Sequence, residues 1–217
     1  MRIKLIIFDL DGTLVDSLDD LTDATNAMLQ SFGKGELISR EVRLLVGQGV
    51  RRLVERAMPD ASQEEIEEGM QIFVSYNEAH IADKTRLYPG VRETLTILGK
   101  FCRLAIISNK NTALCRKLLE VLEVADHFCE IMGADSFPFR KPSPEPVLKL
   151  LTDYGVTAAE TVIVGDSCYD MIAGKEAGVV TVGSTYGYGE ASELAGADYR
   201  IDRFPNLLGL PLFTQND

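Results

Sequence analysis

Leu5-Ile6-Ile7-Phe8-Asp9-Leu10-Asp11-Gly12-Thr13-Leu14-Val15 reads as a strand running into an acidic turn. The first four residues are apolar, branched or aromatic, and Gly12 ends the run, which predicts a buried strand. Asp9 and Asp11 then stand at its C-terminal end, where an open α/β sheet holds its ligands. Side chains two apart on a strand share a face, so both carboxylates can point toward one spot. Taken alone, the stretch has a second, less favoured reading as a solvated Asp-Gly turn. The rest of the chain decides between the two.

Downstream the period changes. Leu18, Leu21, Thr25, Met28, Leu29 and Phe32 recur at helical spacing, with Asp16 or Ser17 placed to cap. Val50, Leu53, Val54, Ala57 and Met58 form a second apolar face. Ser62-Gln63-Glu64-Glu65 has the form of a capping box, followed at helical spacing by Ile66, Met70, Phe73, Val74, Asn77 and Ile81. From Tyr88-Pro89-Gly90 onward strands and helices alternate. Strands are predicted at 103–108, 130–134, 161–164 and 179–182, and helices at 111–122, 143–154 and 170–177. Such alternation means a mostly parallel sheet with helices on both faces. The expected fold is therefore doubly wound α/β, a Rossmann-like core of residues 1–15 and 85–217 with an all-helical cap of residues 16–84. An insert set directly behind the acidic turn hangs over the ligand crevice and reads as a lid.

The 217 residues suffice for a real core, and their net charge of −11 argues against nucleic acid or an anionic membrane as the main partner. A small anionic substrate stays open, since it needs only local positive charge or a metal. Cys102, Cys115, Cys129 and Cys168 are widely spaced and suggest neither zinc nor a disulfide framework. No stretch has the length of a membrane span and no signal peptide is recognisable, so a cytoplasmic protein, monomer or homodimer, is the expectation.

Three more turns fall at predicted strand ends. Ser108-Asn109 supplies a hydroxyl and an amide, Gly165-Asp166-Ser167-Cys168-Tyr169-Asp170 two more acids, and Arg140-Lys141-Pro142 a cation ahead of a helix. Each has a plain structural reading as cap, turn or surface lysine, but all occupy the one edge where this architecture binds ligands. Bringing Asp9, Asp11, Asp166 and Asp170 together is costly: at ~4 Å and an effective dielectric of ~20 each like-charged pair costs about 4 kcal/mol. Such a cluster needs a cation or a proton. Oxygen ligands suit Mg²⁺ rather than zinc, and His80 and His127 lie outside these turns. Lys141 can meet the charge of a bound phosphate. Cys168, inside the acidic turn, is either an inert thiol or an oxidation-sensitive one.

These residues also carry a resemblance. The chain resembles the haloacid dehalogenase superfamily of phosphohydrolases, with Asp9-Leu10-Asp11-Gly12-Thr13 as its first motif, Ser108-Asn109 as the second, Lys141 as the third and Gly165–Asp170 as the fourth. Within it, Asp16-Ser17, Asp20-Leu21, Asn26, Val46-Gly47-Gln48-Gly49, Tyr186–Gly189 and Gly196–Tyr199 resemble the phosphoglycolate phosphatase branch. The resemblance implies a Mg²⁺-dependent phosphomonoesterase acting on a small phosphorylated metabolite, 2-phosphoglycolate first, through an aspartyl-phosphate. It implies Asp9 as nucleophile, Asp11 as acid and base, and Asp9, Asp11 (by its main-chain carbonyl), Asp166 and Asp170 on the metal side. Ser108, Asn109 and Lys141 would hold the phosphoryl oxygens. The loop Gly47-Gln48-Gly49 is expected to enter the cleft, with Arg51 or Arg52 reaching a second anionic group of the substrate. Pyrophosphate, a nucleotide or a sugar phosphate remain alternative substrates, because motif spacing leaves the leaving group open. A phospho-accepting receiver domain is the alternative outside enzymes; it would be shorter and capless.

Overall fold

The computed structural model describes residues 2–213. In chain order its elements are β1 (Leu5–Phe8), β2 (Val15–Asp16), α1 (Leu18–Ser31), α2 (Ser39–Arg43), α3 (Val50–Ala57) and α4 (Gln63–Ala79). Then follow β3 (Arg86–Leu87), α5 (Val91–Leu98), β4 (Arg103–Ile107), α6 (Thr112–Val121) and β5 (Glu130–Met132). The chain continues through α7 (Glu145–Tyr154), β6 (Thr161–Gly165), α8 (Cys168–Ala177), β7 (Val180–Ser184) and β8 (Tyr199–Ile201). Six strands form one parallel sheet in the order β5-β4-β1-β6-β7-β8.

This order sets the position of the ligand crevice. From β1 the chain builds outward through β4 and β5, then crosses back to place β6, β7 and β8 on the other side. The reversal point is thus β1 itself, flanked by β4 and β6. Phe8 is level with Ile106 and Val164, so the residues that follow leave the three strands side by side. Alternation along β1 explains the two-sided burial: Ile6 and Phe8 pack into the core on one face, Leu5 and Ile7 into that on the other, and all four are inaccessible.

The helices between β2 and β3 share a third core, in which Leu21, Ala24, Met28 and Leu29 of α1 meet Leu53 and Val54 of α3 and Ile66 and Phe73 of α4. The predicted capping box of α4 is formed: Ser62 Oγ accepts from the Glu65 amide at 3.2 Å and the Glu65 carboxylate accepts from the Ser62 amide at 2.7 Å. Three features differ from the sequence reading. A two-residue antiparallel ribbon, Val15–Asp16 against Arg86–Leu87, carries the chain into and out of the helical segment and is too short to show a period. Ser17 does occupy the position before α1, but its hydroxyl does not cap the helix; it turns to the acidic loop instead. A further strand, β8, extends the sheet beyond the predicted five. Among the described residues no helix is long and apolar enough to cross a membrane.

Candidate active site

Three strand ends and two loops meet at the edge just described. Asp9 follows β1, its amide donating to the Val164 carbonyl at 2.9 Å, which ties the turn to β6. Gly12 takes φ +83°, and a Cβ there would lie 2.3 Å from Asp166 Oδ2; the loop can pass so close only with glycine. Asp9, Asp166 and Asp170 each offer an oxygen, all within 4.8 Å of one another. Asp166 and Asp170 are buried.

Electrostatics at the cluster are severe. Burial pushes the Asp9 carboxyl up to about 7, with Asp170 adding and Lys141 opposing. Burial, together with Asp9 and Asp170, also holds Asp166 well above the ordinary carboxylate range. Lys141 lies between the acids, its Nζ 2.7 Å from Asp9 and 2.6 Å from Asp170, with only 4% of the residue exposed. Burial alone would lower its ammonium, but the two carboxylates outweigh that and raise it, so it stays charged. Asp170 is also held by Ser167, whose hydroxyl donates to its Oδ2 at 2.7 Å. Lys141 answers one charge of the three. The remainder, an all-oxygen donor set of hard ligands, matches a hard divalent cation such as Mg²⁺.

The Asp166 carboxylate is aimed by a loop that the sequence reading left without a role. The Tyr188 amide donates to Asp166 Oδ2 at 2.6 Å and the Gly189 amide at 3.4 Å. From the helical segment Arg43 reaches the same loop, its Nε donating to the Tyr188 carbonyl at 2.8 Å and its Nη2 to the Gly187 carbonyl at 3.2 Å. Asp11 stands outside the carboxylate cluster. Its carboxylate accepts from Ser17 Oγ at 2.5 Å and from Lys110 Nζ at 3.1 and 3.3 Å, and the Tyr188 hydroxyl accepts from the Ser17 amide at 2.7 Å. Tyr188, Lys110 and Arg43 were missed in the sequence. Tyr188 had one legible signal, its setting between two glycines; Lys110 had its place directly after Ser108-Asn109.

Ser108 and Asn109 lie buried at the end of β4. The Ser108 hydroxyl accepts from the Lys110 amide, and Asn109 Nδ2 donates to the carbonyls of Gly47 at 2.8 Å and Lys141 at 3.0 Å. The Gly47–Gly49 loop does enter the cleft: a Cβ on Gly49 would come within 2.9 Å of the Asn109 carbonyl. Gln48 bonds the Tyr169 hydroxyl. Arg51 and Arg52 are not brought to the cleft. Arg51 pairs with Glu67 and Arg52 with Glu55, and neither lines the cavity. The Cys168 thiol is pushed up by burial and by Glu193, which disfavours the reactive thiolate. The cavity itself, about 170 Å³, is walled by Asp9, Asp11, Ser108, Asn109, Lys141 and Asp166 below and by residues of α1, α3 and α4 above.

Such an arrangement can serve phosphoryl transfer: three clustered carboxylates that could hold a hard cation, a buried ammonium and a separate carboxylate, Asp11, at one mouth. Comparison with known proteins agrees. The family model of haloacid dehalogenase-like hydrolases matches residues 6–184. The phosphoglycolate phosphatase of Chromobacterium violaceum is 40% identical over 215 residues, covering 96% of each chain. That of Neisseria meningitidis is also 40% identical, covering 91% of this chain and 86% of its own. Among solved structures, a predicted phosphoglycolate phosphatase from Haemophilus somnus superposes with a TM-score of 0.92 at 32% identity, over 96% of this chain and 98% of that one.

Proposed function

Since this chain belongs to the haloacid dehalogenase-like hydrolases, we propose that it is a Mg²⁺-dependent phosphoglycolate phosphatase, converting 2-phosphoglycolate and water to glycolate and phosphate. The observation that carries this reading is the convergence of Asp9, Asp166 and Asp170 within 4.8 Å around a buried, charged Lys141.

In this reading an Asp9 carboxylate oxygen attacks phosphorus, the bond from phosphorus to the glycolate oxygen breaks, and an aspartyl-phosphate forms. Asp11 gives its proton to the departing oxygen and later takes one from the attacking water, which returns Asp9 and releases phosphate. Ser17 and Lys110 hold Asp11 in place for both transfers. Lys141, the Ser108 hydroxyl and the Asn109 amide bind the phosphoryl oxygens, whose negative charge must be stabilised as the bond breaks. Asp9, Asp166 and Asp170 would hold Mg²⁺, which would supply positive charge to the phosphoryl group and to these carboxylates. Residues 16–84 act as a cap on a core of residues 1–15 and 85–217, shutting water out of the cavity.

The test is phosphate release from 2-phosphoglycolate, sugar phosphates, nucleotides and pyrophosphate, with Mg²⁺ and with EDTA. The expected result is rapid release with a preference for 2-phosphoglycolate, abolished by EDTA and by Asp9→Asn while the circular dichroism spectrum is unchanged. Release that survives EDTA or Asp9→Asn refutes the mechanism.

A further inference from the structure

The cap side of the cavity contains a polar group that the fold does not use. Asn77 of α4 is 2% exposed and lines the cavity beside Leu21, Leu53, Phe73 and Val74, all apolar. Phe73 and Val74 precede it by four and three residues, so the three share one helical face. Among the described residues the Asn77 Oδ1 has no hydrogen-bond partner. Burying an amide unpaired is unfavourable, and a leucine, which has the same branched skeleton, would line this apolar wall without that penalty. A polar side chain held there without an internal partner is explained by a partner that arrives in the cavity.

The neighbouring charges limit what that partner can be. Of the cations lining the cavity, Lys141 is engaged with Asp9 and Asp170, Lys110 with Asp11, and Arg43 with the carbonyls of Gly187 and Tyr188. Arg56 of α3, an exposed residue, also lines the cavity and has no ion pair or hydrogen bond among the described residues. An unpartnered amide turns over readily about its last bond and can present either its oxygen or its N–H groups. With a free guanidinium lining the same cavity from its solvent-exposed side, the complementary ligand is an anion, and a carboxylate can accept from an amide and a guanidinium alike.

We propose that Asn77, with Arg56 supplying charge, reads the leaving group, selecting esters of small alcohols that carry a carboxylate. This rests on the phosphatase reading of the site and extends it to the residues that choose the substrate. Arg51, the candidate suggested by the sequence, has no part in it.

The experiment compares 2-phosphoglycolate with ethyl phosphate, which lacks only the carboxylate oxygens, on the full-length Mg²⁺-loaded chain. In the wild type the kcat/KM ratio should favour 2-phosphoglycolate. Asn77→Leu should cut that ratio at least tenfold through KM, Asn77→Asp should cut it further by like-charge repulsion, and Arg56→Ala should cut it too. The melting temperature of Asn77→Leu should equal or exceed that of the wild type, because no internal hydrogen bond is lost. Equal losses on both esters, or an unchanged ratio in a folded Asn77→Leu, overturn the proposal and leave the phosphatase reading standing. A wild type that hydrolyses both esters without preference overturns the substrate and the proposal together. If Asn77→Leu does not fold, Asn77→Ser and Arg56→Ala decide by the same ratio.

Discussion

Lys141 is the residue on which the cluster most depends. Fully enclosed between Asp9 and Asp170, it offsets charges that burial makes expensive. Lys141→Met leaves Asp170 buried without its countercharge, and should cost about 3–5 kcal/mol in urea denaturation as well as phosphate release. Adding Asp170→Asn should restore most of the stability and none of the activity; recovery of both would show that the ammonium has no part in the chemistry. Arg51 shows the opposite case. Its guanidinium sits on Glu67 away from the cavity, so Arg51→Ala should leave KM for 2-phosphoglycolate within twofold of wild type. Asp9, Asp11, Lys141, Asp166 and Asp170 were legible because each follows a strand or precedes a helix with strong local signals. Tyr188, Arg43 and Lys110 act through partners 22 to 171 residues away, and no local period encodes such pairings.

Among the elements, β1, β4 and β6 were readable because a continuous apolar run is what burial on both faces demands. β8 was not, since Tyr199-Arg200-Ile201 is three residues with an exposed arginine at its centre. Helix ends shifted where local chemistry competed: α8 starts at Cys168 because Ser167 and Asp170 satisfy each other at its first turn. One tie between elements is titratable. Glu160, just ahead of β6, pairs with Lys4, just ahead of β1, at 2.5 Å and accepts from Thr157. Lys4, then Thr157, lower its carboxyl to about 2. A depressed carboxyl contributes stability above its unfolded value of 4.5 and loses it as pH falls toward 2. The melting-temperature gap between wild type and Glu160→Gln should therefore be full at pH 6 and shrink between pH 4.5 and 2.5. A gap independent of pH would mean that the pair contributes nothing electrostatic.

At the scale of the whole molecule, one arginine joins the helical segment to the loop that aims Asp166 in the carboxylate cluster. Arg43 grips the carbonyls of Gly187 and Tyr188, and the amides of the same loop aim Asp166. Whatever the docked helices do for Asp166, an ion seated on Asp166 must do in equal measure for the docking, because coupling free energy is reciprocal. Adding Mg²⁺ alone should slow amide exchange across residues 39–49, and Arg43→Ala should remove that slowing while weakening Mg²⁺ binding by the same factor. Protection that persists in Arg43→Ala would place the coupling elsewhere. On the phosphatase reading the arginine ties occupancy of the core to posture of the helices as two readings of a single equilibrium, so that loading the ion would spend part of the entropy of closing before any substrate arrives.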